Sequence, residues 1–255
     1  MTLRYLLGLP PTRRYHVPPG MRVYAVGDVH GRADLLRPLL GWIGDDHVAR
    51  GGDPQVHVVF LGDLIDRGPG SAAVLDMLVA QRDLVGTRYF LRGNHEEMLL
   101  AILAGDMTVA GDWLGHGGAE TLESYGMDPA LYWRDPDAFL PALRTAIPPA
   151  HVAFMEAMLD QVRIGDYLFV HAGIRPGIPL EEQAGRDLRW IRGGFLDSRV
   201  DHGVVVVHGH TIVTTPQFRH NRIGIDTGAY RTGRLTALGL EDDARWTLTS
   251  RLDLA

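Results

Sequence analysis

Cysteine is absent from the 255-residue chain. That excludes a disulfide framework and any thiolate zinc site, and it fits a reducing compartment. Lysine is absent too: all 25 basic residues are arginine, a bias we read as compositional. Positive charge is in deficit, with 31 acidic residues and a formal net charge of −6. Broad tracking of nucleic-acid phosphates, which needs basic surface, is therefore not expected. No apolar run approaches the roughly 18 residues of a membrane span, and Met1–Leu9 is too short for a signal segment. There is no P-loop, no nucleophile elbow and no GxGxxG after a strand. A cytoplasmic protein with neither membrane nor nucleic-acid partners is the expectation.

At 45% hydrophobic and 22% charged the composition is that of an ordinary globular protein. The length suits one domain whose core needs no staple. Residues 1–20, with Pro10, Pro11, Pro18 and Pro19, read as an arm, and residues 21–255 as a single domain. From Met21, β-branched and aromatic runs ending in glycine alternate with helical stretches. The runs are Met21–Val26, Val56–Leu61 and Thr87–Leu91; the helices are Ala33–Ile43, Ser71–Arg82 and Glu96–Leu103. Short apolar runs alternating with such helices mark βαβ units. Asp28, Asp63 and Asn94 occupy corresponding positions about one such unit apart. Between about 105 and 165 the pattern becomes a helical insertion, with helices over Glu120–Tyr125, Pro136–Arg144 and His151–Gln161. Strands return at Tyr167–Val170, Val204–Val207, Arg222–Ile225, Leu235–Leu240 and Trp246–Thr249. A closing series of strands without long helices suggests antiparallel additions and two packed sheets.

Five motifs end or follow these strands: Gly27-Asp28-Val29-His30-Gly31, Gly62-Asp63-Leu64-Ile65-Asp66-Arg67-Gly68, Gly93-Asn94-His95-Glu96, His171-Ala172-Gly173 and His208-Gly209-His210-Thr211. In open α/β sheets, ligands bind beyond the carboxyl ends of the strands, so these motifs can converge there. Carboxylate, imidazole and amide oxygen together suit divalent Mn, Fe, Zn or Ni. The expectation is Asp28, His30 and Asp63 around one metal and Asp63, Asn94, His171 and His210 around a second, with Asp63 bridging. Only two of these ligands carry negative charge, so two divalent cations would keep surplus positive charge for a phosphate and for a bound water. Any one of these residues alone has an ordinary structural explanation. The ordered set does not.

The series GDxHG, GDxxDRG, GNHE, HAG and GHT resembles the phosphoprotein phosphatase branch of the calcineurin-like metallophosphoesterases, over about Met21 to Gly228. The resemblance implies an α/β fold, a four-layer α/β/β/α sandwich of two mixed sheets, and hydrolysis of phosphate esters by a dimetal-activated water. It further implies His95 as general acid oriented by Asp66, and Arg67 as a phosphate clamp. Arg192 is a second candidate clamp and Arg175 a third. Glu96, His208 and Asp226 read as structural residues near the site, while Asp112, Trp113, His116 and Tyr125 of the insertion fit a lid or a core equally. The substrate is expected to be a phosphorylated molecule, a phosphoprotein, nucleotide or small phosphate ester, and manganese is the expected metal. Two other functions compete. A symmetrical bis(5'-nucleosyl)-tetraphosphatase would use the same machinery; those enzymes tend to carry Asp at the place of Glu96 and to lack the Asp66-Arg67 pair. A catalytically silent metal-binding module would normally have lost ligands, and here every one is present.

Overall fold

The computed structural model describes residues 15–80 and 85–252. Residues 1–14 of the expected arm, and Arg82 at the end of an expected helix, lie outside the described residues. The first half runs β1 (Met21–Val26), α1 (Ala33–Arg50), β2 (Gln55–Phe60), α2 (Ser71–Ala80), β3 (Thr87–Phe90) and α3 (Asn94–Ala104). Strands β1, β2 and β3 pair in parallel, as two successive βαβ crossings require. Then come the short helices α4 (Ala110–Trp113), α5 (Ala119–Ser124) and α6 (Leu131–Arg134), followed by α7 (Pro136–Ala146) and α8 (Pro149–Glu156). The second half contains β4 (Gln161–Ile164), β5 (Tyr167–Val170), α9 (Gly185–Trp190), β6 (Val205–His208), β7 (Gln217–Phe218), β8 (Arg222–Gly224), α10 (Ala229–Thr232), β9 (Arg234–Glu241) and β10 (Ala244–Arg251).

Two mixed five-stranded sheets result, in the orders β10-β9-β1-β2-β3 and β4-β5-β6-β8-β7. Side-chain alternation sorts their faces. Val23 and Ala25 of β1 join Val59, Phe169, Val205, Val207 and Leu238 in the core between the sheets. Tyr24 and Val26 point the other way, onto Leu35, Leu36, Leu39 and Ile43 of α1. Each Val, Leu, Ile or Phe side chain among these, once removed from water, stabilises the fold by about 1.5–3 kcal/mol. The outer face of the second sheet is covered more thinly, by Leu188 of α9 with Ile174 and Phe195 over Leu168, Val170 and Val206. This is the expected four-layer α/β/β/α arrangement.

Three local expectations need correction. Helix α1 runs to Arg50, because its last turns are polar and carry no apolar signal; the Arg50–Asp46 ion pair at i,i+4 and the Gly51 N–H on the Val48 carbonyl extend and close it. The helix expected over His151–Gln161 stops at Glu156. Leu159 is captured by the edge of β3, donating to Phe90 O and accepting from Arg92 N, and Gln161–Ile164 pairs antiparallel with β5. The arm is not wholly separate from the core, since Tyr15 and Val17 are buried between the sheets.

Candidate metal centre and phosphate site

All five motifs emerge beyond the carboxyl ends of β1, β2, β3, β5 and β6, at one edge of the sandwich. Their backbone is unusual. Among the described residues six non-glycine residues have positive φ, and five of them are His30, Asp63, Asp66, Arg67 and His210. Each such conformation costs about 1–2 kcal/mol and persists only where surrounding structure enforces it. Glycine is required where the loops touch. A Cβ on Gly93 would lie 2.1 Å from Asp63 Oδ1, and one on Gly209 1.9 Å from Asp28 Oδ1.

Asp63 sits between two groups of imidazoles. Its Oδ2 is 3.6 Å from His30 Nε2 and 3.8 Å from His95 Nε2, while its Oδ1 is 3.4 Å from His171 Nε2. His30, Asp63 and His95 form one set of potential ligand atoms, and Asp63, His171 and His210 another, each within 4.8 Å. His171 Nε2 also lies 3.1 Å from Asn94 Oδ1 and 3.2 Å from His210 Nδ1. The Nδ1 atoms of His30 and His171 each sit at a backbone carbonyl, Ile65 O at 2.9 Å and Leu61 O at 2.8 Å. With those nitrogens donating, each ring in its neutral form presents the Nε2 lone pair to the cleft. Asp28 falls outside both tight sets. Its Oδ2 accepts from His210 N at 2.9 Å, and its buried Oδ1 has no hydrogen-bond partner among the described residues.

The electrostatics are those of donors crowded for a cation. Burial, then Asp226, pushes the Asp28 carboxyl well above the usual range. Burial also opposes ionisation of Asp63, but His171, His95 and His30 hold it well below that range. Burial drives His30 down to about 3 and His210 down to about 2, which keeps both in the neutral form that binds metals. The chemistry of the donors and the orphaned Asp28 oxygen therefore fit divalent cations on either side of Asp63.

His95 Nδ1 donates to Asp66 Oδ2 at 2.6 Å, and its buried Nε2 has no hydrogen-bond partner among the described residues. Burial lowers the pKa of His95, but Asp63 and Asp66 more than reverse that and raise it above its ordinary value. Arg67 Nη1 donates to His30 Nε2 at 2.9 Å, which puts the guanidinium beside whatever His30 ligates. Arg192 is exposed and reaches Thr211 Oγ1, next to His210, at 3.3 Å. Arg175 is engaged elsewhere, in a two-bond pair with Asp187 at 2.7 Å each. His208 ends β6 as a buried residue with Nδ1 at Gly209 O. Glu96 is structural: its carboxylate accepts from Asp63 N, Leu64 N and Gly93 N and ties two motif loops together.

Sequence reasoning did not single out Tyr230. Its ring meets His30 edge-on at 5.3 Å and lies under the Arg67 guanidinium at 5.0 Å. No motif marks it; its signal was only its place four residues after Asp226. The insertion contributes Trp113 and Thr121, which both donate to Asp66. It also supplies the Gly117 carbonyl, which accepts from Arg67 N.

Known proteins place the chain in a family. The chain is 29% identical to the asymmetrical bis(5'-nucleosyl)-tetraphosphatase PrpE of Bacillus cereus (strain AH820), over 86% of this chain and 90% of that one. It is 30% identical to a symmetrical bis(5'-nucleosyl)-tetraphosphatase of Janthinobacterium sp. (strain Marseille), over 87% and 94%. A crystal structure described as a candidate diadenosine tetraphosphatase superposes with a TM-score of 0.64 at 22% identity, covering 93% of this chain and 99% of that one, a likeness of fold. The family description "Calcineurin-like phosphoesterase" matches residues 21–241, and the chain belongs to that family.

Proposed function

We propose that this chain is a metal-dependent phosphomonoesterase of the serine/threonine protein phosphatase type. The observation that carries the proposal is Asp63 placed between two imidazole groups, one oxygen toward each, beside a His95–Asp66 pair. Asp28, His30 and Asp63 would hold one divalent cation and Asp63, Asn94, His171 and His210 the second, with manganese the first metal to test. Such a pair, when bound, supplies positive charge for the phosphate and acidifies a water. Arg67 binds phosphate oxygens, for which a guanidinium fork is matched, and Arg192 closes the cleft from the side of Thr211. His95 gives its Nε2 proton to the departing oxygen, while Asp66 fixes the ring and stabilises its charge. A dedicated proton donor matters most when the leaving group is a basic alkoxide, as from phosphoserine or phosphothreonine, and this supports the protein-phosphatase type.

A second reading is hydrolysis of bis(5'-nucleosyl) tetraphosphates, supported by the names of both curated relatives. Its leaving group is itself a phosphate, which needs little protonation. One experiment separates the two. Manganese-loaded protein is given a phosphoserine peptide and, separately, diadenosine tetraphosphate, with products resolved by chromatography. Faster release of phosphate from the peptide is expected. Faster splitting of the dinucleotide would reverse the ranking, and activity surviving in Asp63→Asn protein would remove the metal assignment from both.

A further inference from the structure

Toward the other end of the strands from the metal-ligand cluster, the start of β8 opens on a cavity of about 480 Å³ lined by Asp197, Ser198, Arg199, Arg219, His220 and Arg222, among others. Strands β6 and β8 are parallel, with His208 opposite Gly224. Arg222 therefore marks the amino end of β8, whereas His210 follows the carboxyl end of β6. The two sites face opposite edges of one sheet.

The walls are tied to each other. Arg222 Nη2 donates to Leu196 O at 2.7 Å. The buried Asn221 side chain donates to Ser198 O at 3.0 Å and to Val200 O at 2.9 Å. His220 Nε2 sits 3.0 Å from Arg199 O. The pocket is thus shaped by hydrogen bonds before any ligand arrives, which lowers the ordering cost of binding.

Its charge is unbalanced. Arg222 is only 7% exposed, yet among the described residues its guanidinium bonds only neutral oxygens, Leu196 O and, more loosely, Gln217 Oε1 at 3.4 Å. Buried charges are normally paired. Burial, then Arg219, lowers the pKa of Arg222, and Asp197 only partly offsets them. Among the described residues Arg199, Arg219 and Arg222 make no ion pair. Three guanidiniums facing one carboxylate is a local excess of positive charge in a chain of net charge −6.

We propose that this pocket binds a phosphate-class dianion, either free phosphate or the terminal group of a phosphate monoester, at a site separate from the metal-ligand cluster. Guanidinium forks match such oxygens, and Arg222 provides a buried floor beside the exposed Arg199 and Arg219. The inference does not depend on the proposed hydrolytic activity.

The test is calorimetric titration of the manganese-loaded full chain with inorganic phosphate, and then with AMP and with a phosphoserine peptide. Wild-type protein should bind two equivalents of phosphate, one at the cation pair and one at the pocket. Arg199→Glu and Arg219→Glu, both at exposed positions, should each weaken the second equivalent by about tenfold or more. Neither should alter the melting temperature or hydrolysis of p-nitrophenyl phosphate. If the chain proves to hold no metal, one equivalent should remain and should still vanish in the double variant, so the two readings fail separately. Similar affinity for all three probes identifies free phosphate as sufficient, and tighter binding of AMP or the peptide identifies a monoester. A phosphate titration identical in wild-type and double-variant protein overturns the proposal.

Discussion

Trp113 Nε1 donates a 2.8 Å hydrogen bond to Asp66 Oδ2, the same oxygen that meets His95 Nδ1 at 2.6 Å. Thr121 Oγ1 holds the other oxygen of Asp66 at 2.6 Å. Both donors come from the helical insertion, so that segment orients the candidate general acid from behind. All four residues are buried, and in a site of low polarity each such bond is worth more than it would be in water.

Replacing Trp113 with Phe keeps most of the packing and removes the donor. Turnover of a phosphoserine peptide should fall about tenfold, the worth of one hydrogen bond to a charged group. Turnover of p-nitrophenyl phosphate, whose leaving group needs little protonation, should change little. His95→Ala should show the same split at about 10²–10⁴-fold. Equal losses on both substrates would mean that Trp113 acts only as core filling.

Much of this was legible in the chain. Strands β1 and β5 lie where alternation and β-branched content place them, and the strand-end motifs converge as the parallel topology dictates. Apart from the polar last turns of α1, the failures share a cause: they depend on partners beyond the local stretch of sequence. Arg175 follows the HAG motif, but nothing nearby in sequence reveals that Asp187 occupies it. Trp113 reads equally as core or lid, and it is buried while its indole N–H serves Asp66. Strand β4 is too short for its alternation to outweigh a preceding helix; pairing with β5 decides its conformation.

His171 should couple metal binding to pH. In the metal-free chain burial lowers its pKa, but Asp63 and Asp28 carry it up to about 9. Cation binding needs the neutral ring, so at neutral pH loading should release at least one proton. Affinity should then fall by about tenfold for each pH unit below 9. Manganese titrations in two buffers with different heats of ionisation measure the proton count directly. Identical heats in both would contradict the assignment of His171 as a ligand.

Glu96 should matter for stability rather than for chemistry. Among the described residues its carboxylate is the only acceptor for the buried N–H groups of Asp63, Leu64 and Gly93. Glu96→Ala leaves all three without a partner, at about 1–3 kcal/mol each before relaxation. A loss of about 3–6 kcal/mol in urea unfolding is expected, together with weaker manganese binding because the Asp63 loop loses its anchor. A variant as stable as wild type would show that another group satisfies that loop.

His208 gives a second pH dependence, with the opposite protonation from His171. Burial, only partly offset by its bond to Gly209 O, lowers its pKa from 6.5 to about 4. The folded chain therefore holds the ring neutral where the unfolded chain would protonate it. Its contribution is fully present above pH 6.5 and is lost as the pH falls toward 4, by about 3 kcal/mol. His30 and His210 act in the same direction, so the measurement must be a difference. Urea unfolding of wild-type and His208→Gln proteins should show the wild type losing about 3 kcal/mol more between pH 7 and pH 4. Parallel pH curves would mean that His208 keeps its ordinary pKa, with water reaching an Nε2 that has no hydrogen-bond partner among the described residues.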